Sequence, residues 1–374
     1  MNTKIWLSSP HMGGSEQKYV QEAFDTNWVA PLGPNVNEFE NSLEVCIGEN
    51  SKVAALSSGT AALHLALIQA GVQRNDIVLC QSFTFSASAN PIAYQGAIPV
   101  FIDSEKETWN MCPELLEKAI KESIAEAKKP KAIIVVHLYG MPAKMEAIKK
   151  VASTYEIAII EDAAEALGST LDSQQCGSFG DFAILSFNGN KIITTSGGGA
   201  LICKDEVSKN NAIFLATQAR DQAPHYQHSE IGYNYRMSNI VAGIGRGQLE
   251  VLDERVAARR RNFEFYKKTF IAIAEIQFLE EPEGYFSNRW LTCIVTPSFE
   301  IREKIRIGLE GENIEARPLW KPMHQQPVFK DCKAYVNGVS NDLFEKGLCL
   351  PSGSNLTEED LLRVANCIKE LISS

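Results

Sequence analysis

Residues 52–71 read KVAALSSGTAALHLALIQAG, and the change of period inside this stretch decides the fold. KVAAL (52–56) is an apolar run of strand length. SSGT (57–60) follows with hydroxyls and a glycine, and GTAALHLALIQAG (59–71) then sets Leu63, Ala66, Leu67 and Ala70 on one helical face, with Gly71 as the stop. Strand, turn and helix in that order make the first half of a βα unit. The pattern recurs: DIVLC (76–80), IPVFI (98–102), AIIVV (132–136) and EIAIIED (156–162) read as strands. PELLEKAIKESIAEA (113–127) and PAKMEAIKKVASTY (142–155) read as helices between them, each opening on a proline at the first helical position. Alternation of this kind over residues 50–205 predicts an α/β protein around a mainly parallel sheet.

Beyond residue 205 the rhythm changes. IVAGIGRGQLEVLDERVAARRRNFEFYKKTF (240–270) predicts one long charged helix leading into a smaller C-terminal unit. That later region holds turn-rich segments: EEPEG (280–284), RPLWKPMHQQPVF (317–329) and CLPSGSNLT (349–357). The expected division is a large domain over 1–250, with its N-terminal segment packed on the smaller one, and a small domain over 251–374. ARRR (258–261) reads as the solvated face of the long helix.

The 374 residues, 45% hydrophobic and 22% charged, suffice for more than one core. A net charge of −10 argues against a nucleic-acid-binding surface, so any phosphate site has to be built locally. The nine cysteines show no CxxC or Cys/His metal spacing, and free thiols in the cytoplasm are expected. Apolar runs such as AIIVVHLYG (132–140) are too short to cross a bilayer.

In a parallel α/β sheet ligands bind beyond the carboxyl ends of the strands, and distinctive residues stand at those positions here. Ser58 and Thr60 open the first helix, where unpaired N–H groups suit a phosphate; an ordinary serine N-cap is the plainer alternative. SFTF (82–85) offers Phe85 as a flat surface for a planar ligand, or core filler. Glu161 and Asp162 end their strand, and a carboxylate there either caps the next helix or holds a protonated ring nitrogen. FAILSFNGNK (182–191) ends a further strand at Ser186 and places Lys191 just before the glycines of SGGG (196–199). A lysine in a partly desolvated pocket is a nucleophile for a carbonyl. Phosphate site, aromatic surface, carboxylate and lysine together describe a cradle for pyridoxal 5′-phosphate (PLP).

The same residues carry a resemblance. The chain resembles the DegT/StrS-type nucleotide-sugar aminotransferases over nearly its whole length, through SPHMGG (9–14), WVAPLG (28–33), SSGTAALHLAL (57–67), SFTFSASANPI (82–92), HLYG (137–140), EDAAEALGS (161–169), SFNGNKIITTSGGGAL (186–201), GYNYRMSN (232–239), SNRW (287–290), RPLWKPMHQQPVF and CLPSG (349–353). Within that family it looks closest to the UDP-4-amino-4,6-dideoxy-N-acetylglucosamine transaminases of the bacillosamine pathway. The resemblance implies the aspartate-aminotransferase-like fold type I, with a mixed, mainly parallel seven-stranded sheet. It makes Lys191 the lysine that bonds PLP and Asp162 the partner of the pyridine nitrogen. Ser58, Gly59, Thr60 and Ser186 become phosphate ligands, and Phe85 stacks on the ring. Asn234 corresponds to an asparagine that reaches the cofactor phosphate of the neighbouring subunit, so a homodimer with shared active sites is implied.

Glu165 stands where many members carry His or Gln, near the cofactor's phenolic oxygen, and a carboxylate there has to be protonated or bonded to a donor. Lys191 argues against relatives that carry histidine at that place and remove a hydroxyl. The implied substrates are L-glutamate and a nucleotide-linked 4-keto-6-deoxy sugar. Arg220, Arg236, Arg289, Arg317 and Lys321 are the cationic candidates for its diphosphate, each also readable as a structural or surface charge. Trp320 and His324 are candidates to frame sugar or base. A GDP-linked 4-keto-6-deoxymannose, amination at C3, and a non-catalytic sugar-nucleotide sensor are the competing readings.

Overall fold

The computed structural model describes residues 3–48 and 50–373. The chain begins with α1 (Glu16–Asp25), α2 (Pro34–Ile47), β1 (Lys52–Leu56), α3 (Gly59–Gln69), β2 (Ile77–Gln81), α4 (Asn90–Tyr94) and β3 (Ile98–Ile102). It continues with α5 (Pro113–Ala125), β4 (Ala132–Val136), α6 (Met145–Thr154), β5 (Ala158–Asp162), β6 (Thr170–Leu171), β7 (Gln174–Gln175), β8 (Phe182–Ser186), β9 (Gly199–Cys203) and α7 (Glu206–Ala216). Then come α8 (Asn239–Leu249), α9 (Leu252–Phe270), β10 (Gln277–Phe278), β11 (Tyr285–Phe286), β12 (Thr292–Val295), α10 (Phe299–Gly311) and β13 (Arg317–Pro318). The chain ends with β14 (Ala334–Tyr335), α11 (Val339–Lys346), β15 (Gly347–Leu350) and α12 (Glu358–Ser373).

The main sheet runs β1-β9-β8-β5-β4-β2-β3-β14. All neighbours are parallel except at β9, which is antiparallel to both β1 and β8. The sheet is thus mixed and mainly parallel, as expected, with the two-residue β14 as an eighth strand on the edge beyond the seven. Strand residues alternate between two faces. Ala54 and Leu56 pack with α3 and α7, whereas Val53, Ala55, Ala183 and Leu185 pack with Phe39 and Leu43 of α2. Ile133 and Val135 face a third cluster with Leu116 and Ile120 of α5 and Ile148 of α6. Full burial of each of the valine, leucine, isoleucine and phenylalanine side chains is worth about 1.5–3 kcal/mol, which makes this sheet a rigid base for its rim.

The second sheet, β10-β12-β15-β13, is covered by the end of α9, α10 and α12 through Tyr266, Phe270, Ile305, Leu309, Val364 and Ile368. Ile5 pairs with Ile314 and lies in the same cluster, so the N-terminal segment packs on this sheet.

Two helix expectations are corrected. The segment 240–270 is not one helix: at Val251 (φ −114°, ψ 12°) the chain leaves helical geometry between α8 and α9. The segment before α1 packs closely on this break: a Cβ on Gly13 would lie 2.9 Å from Val251 Cγ2 and 3.2 Å from the Gly247 carbonyl. α6 starts at Met145, leaving Pro142 outside. The residues ahead of it are held by other bonds, the Ala143 N–H donating to His137 Nδ1 (3.0 Å) and Asn110 Nδ2 to the Met141 carbonyl (2.9 Å). Among the described residues no helix is long and apolar enough to cross a membrane.

Candidate active site

β1, β4, β5 and β8 end on one rim of the main sheet, and the antiparallel β9 begins there. Gly199 is the register partner of both Leu56 and Ser186. A cavity of about 320 Å³ opens on this rim. Ser58, Gly59, Thr60, Phe85, Asp162, Glu165, Ser186, Lys191 and Trp320, nine of the residues singled out in the sequence, line it together. Val136, Asn188, Asn190, Gly197, Gly198 and Trp290 contribute further wall.

The N-terminus of α3 forms one side. Ser58 is its N-cap, with Oγ accepting from the Ala61 N–H at 3.0 Å, and the N–H groups of Gly59 and Thr60 lie ahead of the helix's own bonds. The N-cap and the ligand-facing readings of this serine are therefore compatible. A Cβ on Gly59 would sit 3.1 Å from Ser186 Cβ, so the helix end and Ser186 are in direct contact. On Gly199 it would lie 2.3 Å from the Gly59 nitrogen. Only glycine admits this approach, and it brings N–H groups, hydroxyls and the positive end of a helix dipole to one point, the makings of an anion site.

Asp162 closes β5 beneath the cavity. Its Oδ2 accepts from Ser88 Oγ at 2.6 Å, and its Oδ1 from the Ala164 N–H at 3.1 Å. Glu161 points to the opposite face of the strand. There it accepts from the Gly177, Phe179 and Gly180 N–H groups and pairs with His137 Nε2 at 2.8 Å. Of the two adjacent carboxylates, Asp162 alone reaches the cavity.

Lys191 Nζ lies 3.6 Å from Glu165 Oε1 and 4.2 Å from the ring centre of Trp290. Glu165 is buried, and its Oε2 accepts from the Tyr139 N–H at 2.7 Å. Burial pushes the Glu165 carboxyl above the ordinary carboxylate range, against the pull of Lys191 and the Tyr139 N–H. Tyr139 occupies a left-handed conformation (φ 54°) and lies between Trp290 and Trp320, with ring centres 6.4 and 6.3 Å away. Its hydroxyl accepts from the Trp320 N–H at 2.8 Å. Phe85 faces Trp320 at 5.2 Å, whereas Phe83 is fully buried, which separates the two phenylalanines of SFTF into wall and core.

The other candidates lie elsewhere. Arg236 bonds to Glu40 and to the Ala55 carbonyl (3.0 Å). Arg289 is buried against Phe263 at 3.7 Å and bonds to the Leu279 carbonyl (2.7 Å). Arg317 is exposed and paired with Glu315 at 2.7 Å. Arg220 is exposed and lies over Tyr226. His324 is pinned between Ser82 Oγ (2.7 Å) and Asn341 Oδ1 (3.0 Å). Lys321 is half-buried outside the cavity, and Asn234 is exposed, bridged to Thr217.

The reading of ARRR as a solvated face is corrected. Arg259 is fully buried, and its guanidinium donates to the Trp290, Lys191 and Ser352 carbonyls and to Ser8 Oγ. Arg260 pairs with Glu281 and the Ser287 carbonyl. Sequence reasoning also passed over Trp290, Tyr139 and Ser88. Each lies inside a quoted block, but an aromatic or serine in a block carries no sign of which way it points.

A family model described as "DegT/DnrJ/EryC1/StrS aminotransferase family" matches residues 10–369. The Bacillus subtilis protein named "Putative pyridoxal phosphate-dependent aminotransferase EpsN" is 52% identical over 99% of this chain and 96% of its own. The GDP-perosamine synthase of Escherichia coli O157:H7 is 36% identical over 99% of both. The solved structure "Putative sugar aminotransferase Spr1654 from Streptococcus pneumoniae, PLP-form" superposes with a TM-score of 0.91 at 27% identity, covering 99% of both chains. The fold is that of these enzymes, fold type I, and the chain belongs to the DegT/DnrJ/EryC1/StrS aminotransferase family.

Proposed function

We propose that the protein moves the amino group of L-glutamate to C4 of a nucleotide-linked 4-keto-6-deoxy sugar. UDP-2-acetamido-2,6-dideoxy-4-keto-glucose is the assigned acceptor and UDP-4-amino-4,6-dideoxy-N-acetylglucosamine the product. PLP is the cofactor and sugar amination the general activity. One observation carries the reading: Lys191, Asp162, Ser186 and the N-terminus of α3 converge on a single cavity.

The residues fit the cofactor. The Gly59 and Thr60 N–H groups and the Ser58, Thr60 and Ser186 hydroxyls would hold the phosphate, in the cradle that only glycine at 199 permits. Asp162, fixed by Ser88 and the Ala164 N–H, is a charge-assisted partner for the ring nitrogen. Phe85 offers a ring face on the cavity wall. When bound, PLP supplies an aldehyde that condenses with an amine, losing water, and a protonated ring that accepts the electron pair released when the donor's Cα–H bond breaks.

The protein's own groups do the rest. Lys191 Nζ is the nucleophile and, once free, the base that moves the proton, within reach of the Glu165 carboxyl. Burial raises the Glu165 carboxyl above the ordinary carboxylate range; beside the phenolic oxygen it would act as a donor when protonated. Trp320 and Phe85 form an aromatic wall at 5.2 Å from one another for the sugar or base. Asn234, exposed and away from the cavity of its own chain, is assigned to a partner subunit's phosphate site in a homodimer.

GDP-4-keto-6-deoxymannose is the second reading, favoured by the 36% identity to a GDP-perosamine synthase. The test offers both 4-keto sugars in parallel to the holoenzyme with glutamate and reads products by mass spectrometry, with NMR to place the new amine. Amination of the UDP sugar at C4 supports the reading. Amination of the GDP sugar alone replaces the substrate. With no product from either, a 3-keto sugar nucleotide is offered next: its amination moves the reading to C3, and no reaction there leaves a sugar-nucleotide sensor.

A further inference from the structure

The lysine on the cavity wall meets an aromatic ring as well as a carboxylate. Lys191 Nζ stands 4.2 Å from the ring centre of Trp290, inside the range of a cation–π contact. Both partners are shielded from water: Trp290 is 1% exposed and the Lys191 side chain 12%. Screening by solvent is therefore weak.

Trp290 is held on three sides. Its N–H donates to Asn288 Oδ1 at 2.9 Å, its carbonyl accepts from Arg259, and its indole Nε1–H donates to the Asn190 carbonyl at 2.7 Å. Asn288 in turn donates to the Glu165 and Leu167 carbonyls at 3.0 and 2.9 Å. The same Arg259 guanidinium also reaches the Lys191 carbonyl at 3.4 Å. One buried cation thus grips the backbone of both residues whose side chains meet, and Asn288 ties the ring to the segment bearing Glu165.

We propose that Trp290 is a positioning residue for Lys191: its ring, fixed by Asn288, Arg259 and Asn190, keeps the lysine's nitrogen aimed into the cavity whenever that nitrogen is not bonded to the cofactor. A lysine has four rotatable carbons in its stem and loses much rotamer freedom on being held. The ring supplies an attraction at one position, and the Glu165 carboxyl on the other flank limits the swing. This inference rests on the reading of Lys191 as the amine that bonds PLP.

The test follows PLP addition to the apoprotein by stopped-flow absorbance, which separates reversible binding, seen in the concentration dependence, from the first-order covalent step. Trp290→Phe keeps a ring face; Trp290→Leu and Trp290→Met remove it at a volume near that of phenylalanine, so all three leave a similar void. The expected result is a covalent step slowed roughly tenfold in the Leu and Met variants, because a lysine stem released from the ring spends most of its time in rotamers that aim the amine away from the cavity. The Phe variant should recover most of the rate, and the reversible binding constant should stay unchanged. A purely structural loss would weaken both steps in all three variants, and that outcome overturns the proposal, as does a Phe variant as slow as Leu. Should Leu fail to fold, Met against Phe gives the same comparison. Borohydride reduction of the wild-type holoenzyme and peptide mapping keeps the two readings apart. Label at a residue other than Lys191 sinks the parent reading, whereas label on Lys191 with wild-type rates in Leu and Met sinks only the platform.

Discussion

Ser88 Oγ donates to Asp162 Oδ2 at 2.6 Å, so the carboxylate that ends β5 is locked by a residue 74 positions earlier in the chain. The other oxygen is fixed by the Ala164 N–H. A carboxylate with both oxygens oriented costs no reorganisation when it meets a protonated ring nitrogen, which is where such electrostatic preorganisation acts.

From this follows the expected behaviour of two variants. Asp162→Asn should still bind PLP through the phosphate cradle yet lose turnover by roughly a hundredfold or more, because a neutral amide no longer keeps the ring nitrogen protonated. Ser88→Ala should lose about tenfold in kcat, the weight of one hydrogen bond to a charged group, with a smaller change in KM. Steady-state kinetics beside a cofactor titration checks both. Unchanged turnover in Asp162→Asn would refute the role.

Gly199 offers a test of the anion cradle. A methyl group there would meet the Gly59 nitrogen and the Ser58 carbonyl carbon, each at 2.3 Å, and backbone in a sheet rim cannot step aside as a flexible side chain can. Gly199→Ala should weaken PLP binding at least about tenfold and cost ~1–3 kcal/mol of stability through overpacking. Gly311→Ala, at the end of α10 with nothing within 4 Å, is the control and should leave PLP binding unchanged while raising stability by up to about 1 kcal/mol. Equilibrium dialysis and urea denaturation of the apoproteins read the two quantities.

Much of this arrangement was legible in the sequence because it is local. The βα alternation, the N-cap at Ser58 and the succession Asp162, Ser186, Lys191 at strand ends follow from period and position along the chain. The arginines were not legible, since burial of a charge depends on partners far away. Arg259 looks like one of three surface arginines until Ser8, Lys191, Trp290 and Ser352 are seen to surround it. Trp290 likewise becomes part of the site only when β12 is laid beside β15 and the segment ahead of it reaches the rim of the other sheet.

Arg236 makes the same point quantitatively. Its guanidinium bonds to Glu40, which also accepts from the Ala55 N–H at 2.7 Å, and both side chains are buried. Arg236→Met would leave Glu40 with Lys209, 4.0 Å from its Oε2, as its remaining cation and should destabilise the apoprotein by about 1–3 kcal/mol. Chemical denaturation measures this. A variant of wild-type stability whose KM for the sugar nucleotide rises would return Arg236 to the diphosphate.

Glu165 gives a pH dependence whose sign is fixed. Its carboxyl is raised above the ordinary range by burial, so between its unfolded and folded pKa the native state binds more protons than the unfolded chain. Stability from this group is then fully present below the unfolded value and is lost as pH rises through the folded one. Glu165→Gln keeps an acceptor for the Tyr139 N–H and cannot ionise. The difference in unfolding free energy between the Gln variant and wild type should therefore move in favour of Gln as pH climbs above the carboxylate range. Urea denaturation of both apoproteins across that range is the check, and a flat difference would mean that the 3.6 Å contact with Lys191 compensates the burial in full.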